Sequence, residues 1–232
     1  MRPFALIVAL LGAGAARAVP IDRTLELSLG DPHFVRQSYV EAFEVDPPDL
    51  CQAEQMPTLE ILLTPKRAGE GLLYLYEDGR LEVVRLVVSD PKTPAVEPAA
   101  SDKAKLDALW KAARAVCPQV EDRVVDGEHF LHAQIPDGLC RAAMVGLLAV
   151  NPYPADHLRL VFGIPALQAQ LGAMQDQLRV AGIEGLTLTY AGATLVMKGQ
   201  ATAELRHRAL KAMWPVTVGR LNVEDDTGDW GK

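Results

Sequence analysis

The fold is decided by residues 186–198, which read Leu-Thr-Leu-Thr-Tyr-Ala-Gly-Ala-Thr-Leu-Val-Met-Lys. Apolar residues alternate with threonines up to Tyr190, as in a half-buried strand, and Ala191-Gly192 supplies a turn before the chain returns as a second strand. Apolar residues at helical spacing precede this hairpin from Pro165 onward, and a helix is predicted for about 202–214. With a last strand predicted for 218–223, the order is α-β-β-α-β.

The same order is predicted once more, upstream. Between about residues 104 and 162 an amphipathic helix is followed by strands at 120–125 and 129–135 around Gly127, then by a helix at 139–150 and a strand at 158–162. Two helices on one face of a three-stranded sheet form a small α+β sandwich. A small domain used twice favours binding or assembly over catalysis.

The segment before the repeat has only β signals. Short strands are predicted at 25–29, 39–45, 59–63, 72–76 and 82–88, and Asp78-Gly79 provides a tight hairpin turn between the last two. The predicted fold is therefore a small β-rich N-terminal domain followed by two α-β-β-α-β sandwich domains, each with a modest core. The expected boundaries are a β domain at 19–90, a Pro/Ala-rich linker at 91–101, α+β domains at 102–162 and 163–224, and an acidic tail at 225–232.

The N-terminus has the pattern of an export signal. Arg2 precedes an apolar run at residues 4–11, and Ala16-Arg17-Ala18 is an A-x-A cleavage site, so a signal peptide is predicted at 1–18. The alternative is an uncleaved anchor, but the run is shorter than the ~20 residues that span a bilayer. The formal charge of the 232-residue chain is −7, and removing residues 1–18 takes away two arginines and no acid. An exported, acidic protein is expected, which disfavours nucleic-acid partners.

Three cysteines are too few for a disulfide framework. Cys117 ends the first helix of the first repeat and Cys140 begins its second, so in an oxidising compartment the two can pair. The alternative is that both are buried free thiols, and the sequence leaves both open. Cys51 is then the odd thiol, and we expect it to be a loop or core residue.

The β segment resembles the N-terminal periplasmic domain of the secretin of Tad-type (Flp) pilus assembly systems. The residues that carry the resemblance are Leu27-Ser28-Leu29-Gly30, then Phe43-Glu44-Val45-Asp46-Pro47, then residues 62–76, Leu-Leu-Thr-Pro-Lys-Arg-Ala-Gly-Glu-Gly-Leu-Leu-Tyr-Leu-Tyr, closed by the Gly79 turn and residues 83–88. In that family the corresponding order is a strand, a Val-x-Val-x-Pro segment, a Gly-containing link and an aliphatic hairpin.

The repeated unit resembles the BON domain, and the second copy is the better match. Its closest residues are Val180-Ala181-Gly182-Ile183, residues 192–199 through the turn and second strand, and residues 205–214 with Asn222-Val223. The first copy is divergent, since no Gly directly follows Ile135. A β module before BON-like modules is the order that precedes the membrane channel in Tad-type secretins, and the sequence has no room for that channel.

Candidate chemistry is weak throughout. His129 and His132 lie three apart on a predicted strand and should point to opposite faces, so one metal could not take both. His33, His157 and His207 are expected at the surface. The acidic run at 224–229 lacks the ligand order of a calcium loop, and a solvated tail is predicted for it. We predict no enzyme, no cofactor and no metal site.

Two functions remain. The resemblance implies a periplasmic, secretion-related assembly component that docks to a secretin channel or other pilus envelope proteins and can form homo-oligomers through sheet edges. The alternative is a BON-type envelope-maintenance protein that binds phospholipid at the outer membrane, with a contact cluster of Arg206, Arg208 and Lys211. The simpler interpretation of that cluster is a solvated helix face. Tyr153 is a candidate exposed aromatic, whereas Trp214 is expected in the core.

Overall fold

The computed structural model describes residues 21–35, 40–77, 80–92, 100–151, 153–218 and 223–228, which form a β-rich α+β structure with four helices and several sheets. The strands are β1 Arg23–Ser28, β2 His33–Val35, β3 Ala42–Asp46, β4 Cys51–Gln55, β5 Ile61–Pro65, β6 Gly69–Glu77, β7 Arg80–Ser89, β8 Gln119–Val125, β9 Glu128–Ile135, β10 Leu158–Phe162, β11 Leu186–Ala191, β12 Thr194–Gln200 and β13 Val223–Gly228. The helices are α1 Ala100–Val116, α2 Gly138–Val150, α3 Ile164–Val180 and α4 Ala203–Met213. The predicted signal peptide, the Asp78-Gly79 turn and most of the predicted linker lie outside the described residues.

The first seven strands form two sheets, in the orders β1-β7-β6-β3 and β2-β5-β4. The two sheets share one buried apolar cluster, so they form a β-sandwich. Its members include Leu27, Val35, Val45, Leu50, Cys51, Ile61, Leu63, Leu73, Leu75, Val84 and Leu86. Strands β2 and β4 are absent from the sequence-based prediction, because three and five residues without clear alternation give little signal.

The four-stranded sheet is buried on both of its faces. Along β6, Leu73 and Leu75 belong to the sandwich core, whereas Tyr74 and Tyr76 point the other way into a second cluster. Strand β7 does the same, with Val84 and Leu86 on the first side and Leu81 and Val83 on the second. A sheet that is apolar on both faces needs a second covering layer.

The C-terminal helices supply that layer. The second cluster combines residues of the four-stranded sheet with residues of the last helices and strands, namely Tyr74, Tyr76, Leu81, Val83, Met174, Leu178, Leu188, Leu195, Met197, Ala209, Leu210, Met213 and Trp214. Helices α3 and α4 thus contribute to one core that has β11 and β12 on one side and β6 and β7 on the other. The β-sandwich has its own core, as expected, but the last segment does not, since its buried cluster includes residues of β6 and β7.

The two α-β-β-α-β segments have the same strand topology. The sheets are ordered β10-β9-β8 and β11-β12-β13, with the second strand of each segment at the centre. In both, the first two strands form an antiparallel hairpin and the last strand runs parallel to the central one. Equivalent turns, with Gly127 at φ 86° and Gly192 at φ 66°, use the left-handed backbone that glycine adopts without strain.

The acidic run near the C-terminus is a strand. We predicted a last strand at 218–223 and a solvated tail after it, but the final strand begins at Val223 and extends through the acidic residues to Gly228. It pairs in parallel with β12, from Leu195↔Val223 to Gln200↔Gly228. Backbone pairing and an ion pair of 3.3 Å between Lys198 Nζ and Asp226 Oδ2 outweigh the poor strand propensity of aspartate.

A disulfide joins Cys117 to Cys140, with a sulfur–sulfur distance of 2.12 Å and 4.9 Å between the Cα atoms. Of the two states that the sequence left open, the structure therefore has the paired one. Helix α2 begins beside this bond, where Oδ1 of the N-cap Asp137 accepts hydrogen bonds from Leu139 N and Cys140 N. No helix in the described ranges is long and apolar enough to cross a membrane.

Candidate functional site

The basic face of α4 is the first candidate, because it holds the three basic residues singled out from the sequence. The helix starts at an N-cap, Thr202, whose hydroxyl accepts from Leu205 N, and it buries Ala209, Leu210 and Met213. Lys211 lies on the side that faces the β-sandwich. Its Nζ donates to Glu44 Oε1 over 2.6 Å and lies 4.7 Å from the centre of the Tyr74 ring. The charge of Lys211 is therefore paired within the chain.

His207 lies at the same contact between α4 and the β-sandwich, one helical turn before Lys211. Its ring stacks on Tyr76 with 4.3 Å between centroids, and its Nε2 is 3.1 Å from Glu41 Oε2. The His207 side chain is 16% exposed, so it is partly covered where a freely exposed surface residue was predicted. The sequence could not reveal this contact, since Glu41 and His207 are 166 residues apart.

The three basic residues do not form one patch. Arg206 donates from Nη1 to Ala201 O over 3.2 Å, and the exposed Arg208 donates from Nη2 to Ala181 O over 3.4 Å. Arg208 and Lys211 line a groove of about 530 Å³ between the sandwich and the last segment, whose other walls include Asp46 and Glu70. An anionic lipid headgroup in this groove would face the carboxylate of Asp46, and the carboxylate of Glu70 is paired with Arg85 over 2.6 Å, so the groove is not a cationic site.

The pKa values of Tyr74 and Tyr76, which lie under α4, are raised by their surroundings. Burial, together with the nearby carboxylates of Asp46 and Glu44, raises the pKa of Tyr74 to about 12. Burial and Glu44 also raise the pKa of Tyr76. Both phenols therefore stay protonated to a higher pH than a free tyrosine.

The histidines of the first repeat do not form a ligand set. His129 and His132 lie on opposite faces of β9, and His129 Nδ1 is 2.8 Å from Asp122 Oδ2. His157 stacks on Phe130 with 4.5 Å between centroids, and its side chain, which was predicted at the surface, is 19% exposed and thus partly covered. Within the described ranges no group of three or more His, Cys, Asp or Glu could hold a metal ion.

Tyr153, Trp214 and Cys51 are buried. Tyr153 is 5% exposed, so its prediction as an exposed aromatic is wrong, and Trp214 is core at 1%. Cys51 is buried in β4, and burial raises the pKa of its thiol, which makes it a poor nucleophile. His33 is exposed as expected. These positions offer no reactive centre.

The free edge of β8 is the strongest candidate for a binding surface. In its sheet the order is β10-β9-β8, so one side of β8 has no strand beside it among the described residues. Five consecutive residues at 121–125 are exposed, including Val124 at 60% and Val125 at 52%. Unpaired backbone groups beside exposed valines are what strand addition needs. The sequence pattern of β8 could not show this, because it does not say which strands lie at an edge.

The same sheet has an open outer face. Gln119, Glu121, Arg123, His132, Gln134 and Arg159 line a shallow depression of about 160 Å³ on it. Glu121 and Arg123 form an ion pair of 2.8 Å on this face. The surface is polar and mixed in charge, which suits a protein partner better than a membrane.

No protein-family model matches the chain. No curated protein is significantly similar to it.

Proposed function

We propose that the chain is a non-enzymatic periplasmic assembly component that docks to other proteins of a Tad-like pilus or related secretion system. In this proposal residues 19–90 form a secretin N-terminal-like β domain, 102–162 a divergent BON-like domain and 163–224 a second BON-like domain, the last extended by β13 to Gly228. The partners are a secretin channel or other envelope proteins, and further copies of the chain.

One observation carries the proposal more than any other. Two α-β-β-α-β segments with the same strand topology follow a β-sandwich, and the sheet of the first of these segments ends at an exposed strand edge. Small sheets with free edges recognise partners by adding strands or by packing side by side. The buried Tyr74 and Tyr76 of β6 contact Lys211 and His207 of α4, and these contacts join the last segment to the sandwich, which gives an assembly component a fixed shape.

The phospholipid alternative has less support from the geometry. It needs a cationic surface, but Lys211 is paired with Glu44 and the groove beside Arg208 includes two carboxylates. The formal charge of −7 adds long-range repulsion from anionic lipid.

Purification from cross-linked cell envelopes tests the proposal. A tagged chain is expressed in its own organism, envelopes are cross-linked, and proteins that co-purify are identified by mass spectrometry. Recovery of a secretin channel, a pilus ATPase or an inner-membrane platform protein is expected. Repeated recovery of none of these, with the tagged chain itself well recovered, would overturn the proposal. Genes for such proteins beside its own gene would add independent support.

A further inference from the structure

We propose that β8 pairs with the β8 of a second copy of this chain, antiparallel and centred on Asp122, so that two three-stranded sheets become one of six strands. This inference rests on the proposed assembly function and deepens it by naming the partner at one sheet edge. The contact is isologous, since each strand offers the other the same residues.

The turn after β8 determines which backbone groups are free. Asp126 and Gly127 have φ 54° and 86° and form a two-residue turn, with Val125 opposite Glu128. In such a hairpin the flanking pair exchanges backbone hydrogen bonds, and every second residue does likewise. The backbone N–H and C=O groups of Val120, Asp122 and Val124 are consequently directed to the free edge.

The charges of β8 are self-complementary in this register. With Asp122 opposite Asp122 of the second copy, Glu121 lies opposite Arg123 of the second copy, and the same pair occurs again across the two-fold axis. Both side chains are on the open outer face, 55–56% exposed in the single chain, where their own ion pair already orders them. Opposite charges at directly facing positions stabilise antiparallel strands. A shift of the register by two residues loses this match.

The valines favour the same register. Val124, which is 60% exposed, would lie opposite Val120 of the second copy. Each of these apolar side chains would therefore contact an apolar side chain of the other copy. Residues 119–125, Gln-Val-Glu-Asp-Arg-Val-Val, contain no lysine or proline, two residue types that protect natural edges against pairing, and the charges of Glu121 and Arg123 are matched in this register. By contrast, Glu224 and Asp226 on the edge strand β13 would repel a second copy.

One contact opposes the pairing. The two Asp122 carboxylates would face each other, and like charges at facing positions are unfavourable. Each carboxylate is held by its own sheet, because Oδ2 of Asp122 is 2.8 Å from His129 Nδ1. A seven-residue strand pair is in addition a small interface, so we expect weak, reversible association.

Charge reversal tests the register. Self-association is measured by sedimentation velocity on the oxidised, purified chain at protein concentrations from about 10 μM to about 1 mM, the range suited to a small interface. The wild type is expected to form dimers. Arg123→Glu and Glu121→Arg should each weaken dimerisation about tenfold or more, because each places like charges opposite each other twice.

Two further samples restore the complementarity. The double variant E121R/R123E should dimerise about as well as wild type, and an equimolar mixture of the two single variants should form heterodimers. Val180→Glu, at a 72% exposed position at the end of α3, is the control away from this sheet and should leave dimerisation unchanged. Circular dichroism of every variant shows that the fold is retained.

Several results would contradict the pairing of β8 with a second copy. A wild type that is monomeric throughout, or single variants that dimerise like wild type, overturns the strand pairing. Binding of an unrelated protein at this edge in place of a second copy does so as well. None of these results touches the envelope purification, so failure of the pairing and failure of the proposed function can be told apart.

Discussion

Lys211 and Glu44 lie 167 residues apart in sequence, yet Nζ of the lysine donates to Oε1 of the glutamate over 2.6 Å. The pair joins α4 to β3, an edge strand of the four-stranded sheet. Both side chains are partly exposed, at 32% and 49%, so the ion pair alone contributes less than about 1 kcal/mol. The apolar cluster beneath it, with Leu210, Met213 and Tyr74, supplies most of the stability of this contact.

Leu210→Ala should therefore destabilise the first and last segments together. The side chain is 1% exposed within the shared core, and truncating a buried leucine costs about 2–5 kcal/mol. Urea unfolding followed by circular dichroism should show a lower midpoint, and hydrogen exchange read by mass spectrometry should show β6, β7 and α4 losing protection together. Leu139→Ala, at a 73% exposed position in α2, is the matched control and should change little. Loss of protection in α4 of the wild type while β6 and β7 keep theirs would contradict a shared core.

Reducing the Cys117–Cys140 disulfide should destabilise the chain without unfolding it outright. The bond closes a short loop, with a sequence separation of 23, for which the loss of unfolded-state entropy is about 2–4 kcal/mol. Urea midpoints with and without reductant measure the effect. The variant C117S/C140S should be insensitive to reductant, since Cys51 is free in both conditions. Equal midpoints for the oxidised and reduced wild type would show that the bond does not contribute.

Alkaline pH should weaken the contact beneath α4. The pKa of Tyr74 is raised from 10.0 to about 12, so between these values the unfolded chain loses its phenolic proton while the folded chain keeps it. Stability is consequently unaffected below about pH 10 and falls as pH rises toward 12. Urea midpoints between pH 9 and 11.5 test this, with Tyr74→Phe as the comparison. A variant that loses stability as steeply as wild type would indicate that Tyr74 is not a source of the fall.

Sequence reasoning identified most elements but not their arrangement. The hairpin at 186–198 and the upstream repeat were predictable, because alternation, turn glycines and helical spacing are local signals. The covering of β6 and β7 by α4 was not, since it depends on contacts such as that of His207 with Glu41. The acidic strand β13 was missed because its propensity is poor and its partner strand provides the stabilisation.

The candidate surfaces were predicted only in part. Arg206, Arg208 and Lys211 are close in sequence on one helix, which suggested a cluster, but internal acceptors engage them separately. Which strands end a sheet depends on topology, so the exposed edge of β8 could be found only from the structure.

Anionic liposomes should not carry the protein upward in a flotation gradient at low salt. The chain is acidic, and the carboxylates of Asp46 and Glu70 lie in the groove beside Arg208. The double variant D46K/E70K, which makes the groove cationic, should float better than wild type if the assay detects this surface. Flotation of the wild type that is lost in R206E/R208E would instead support the phospholipid alternative.

Recovery of partners from the envelope tests the central claim most directly. The tagged wild type is cross-linked in living cells and compared with a similarly expressed, unrelated periplasmic protein. We predict enrichment of a secretin channel or another pilus assembly protein in the wild-type sample alone. An equal background in both samples, at matched recovery of the tagged proteins, would contradict an assembly role.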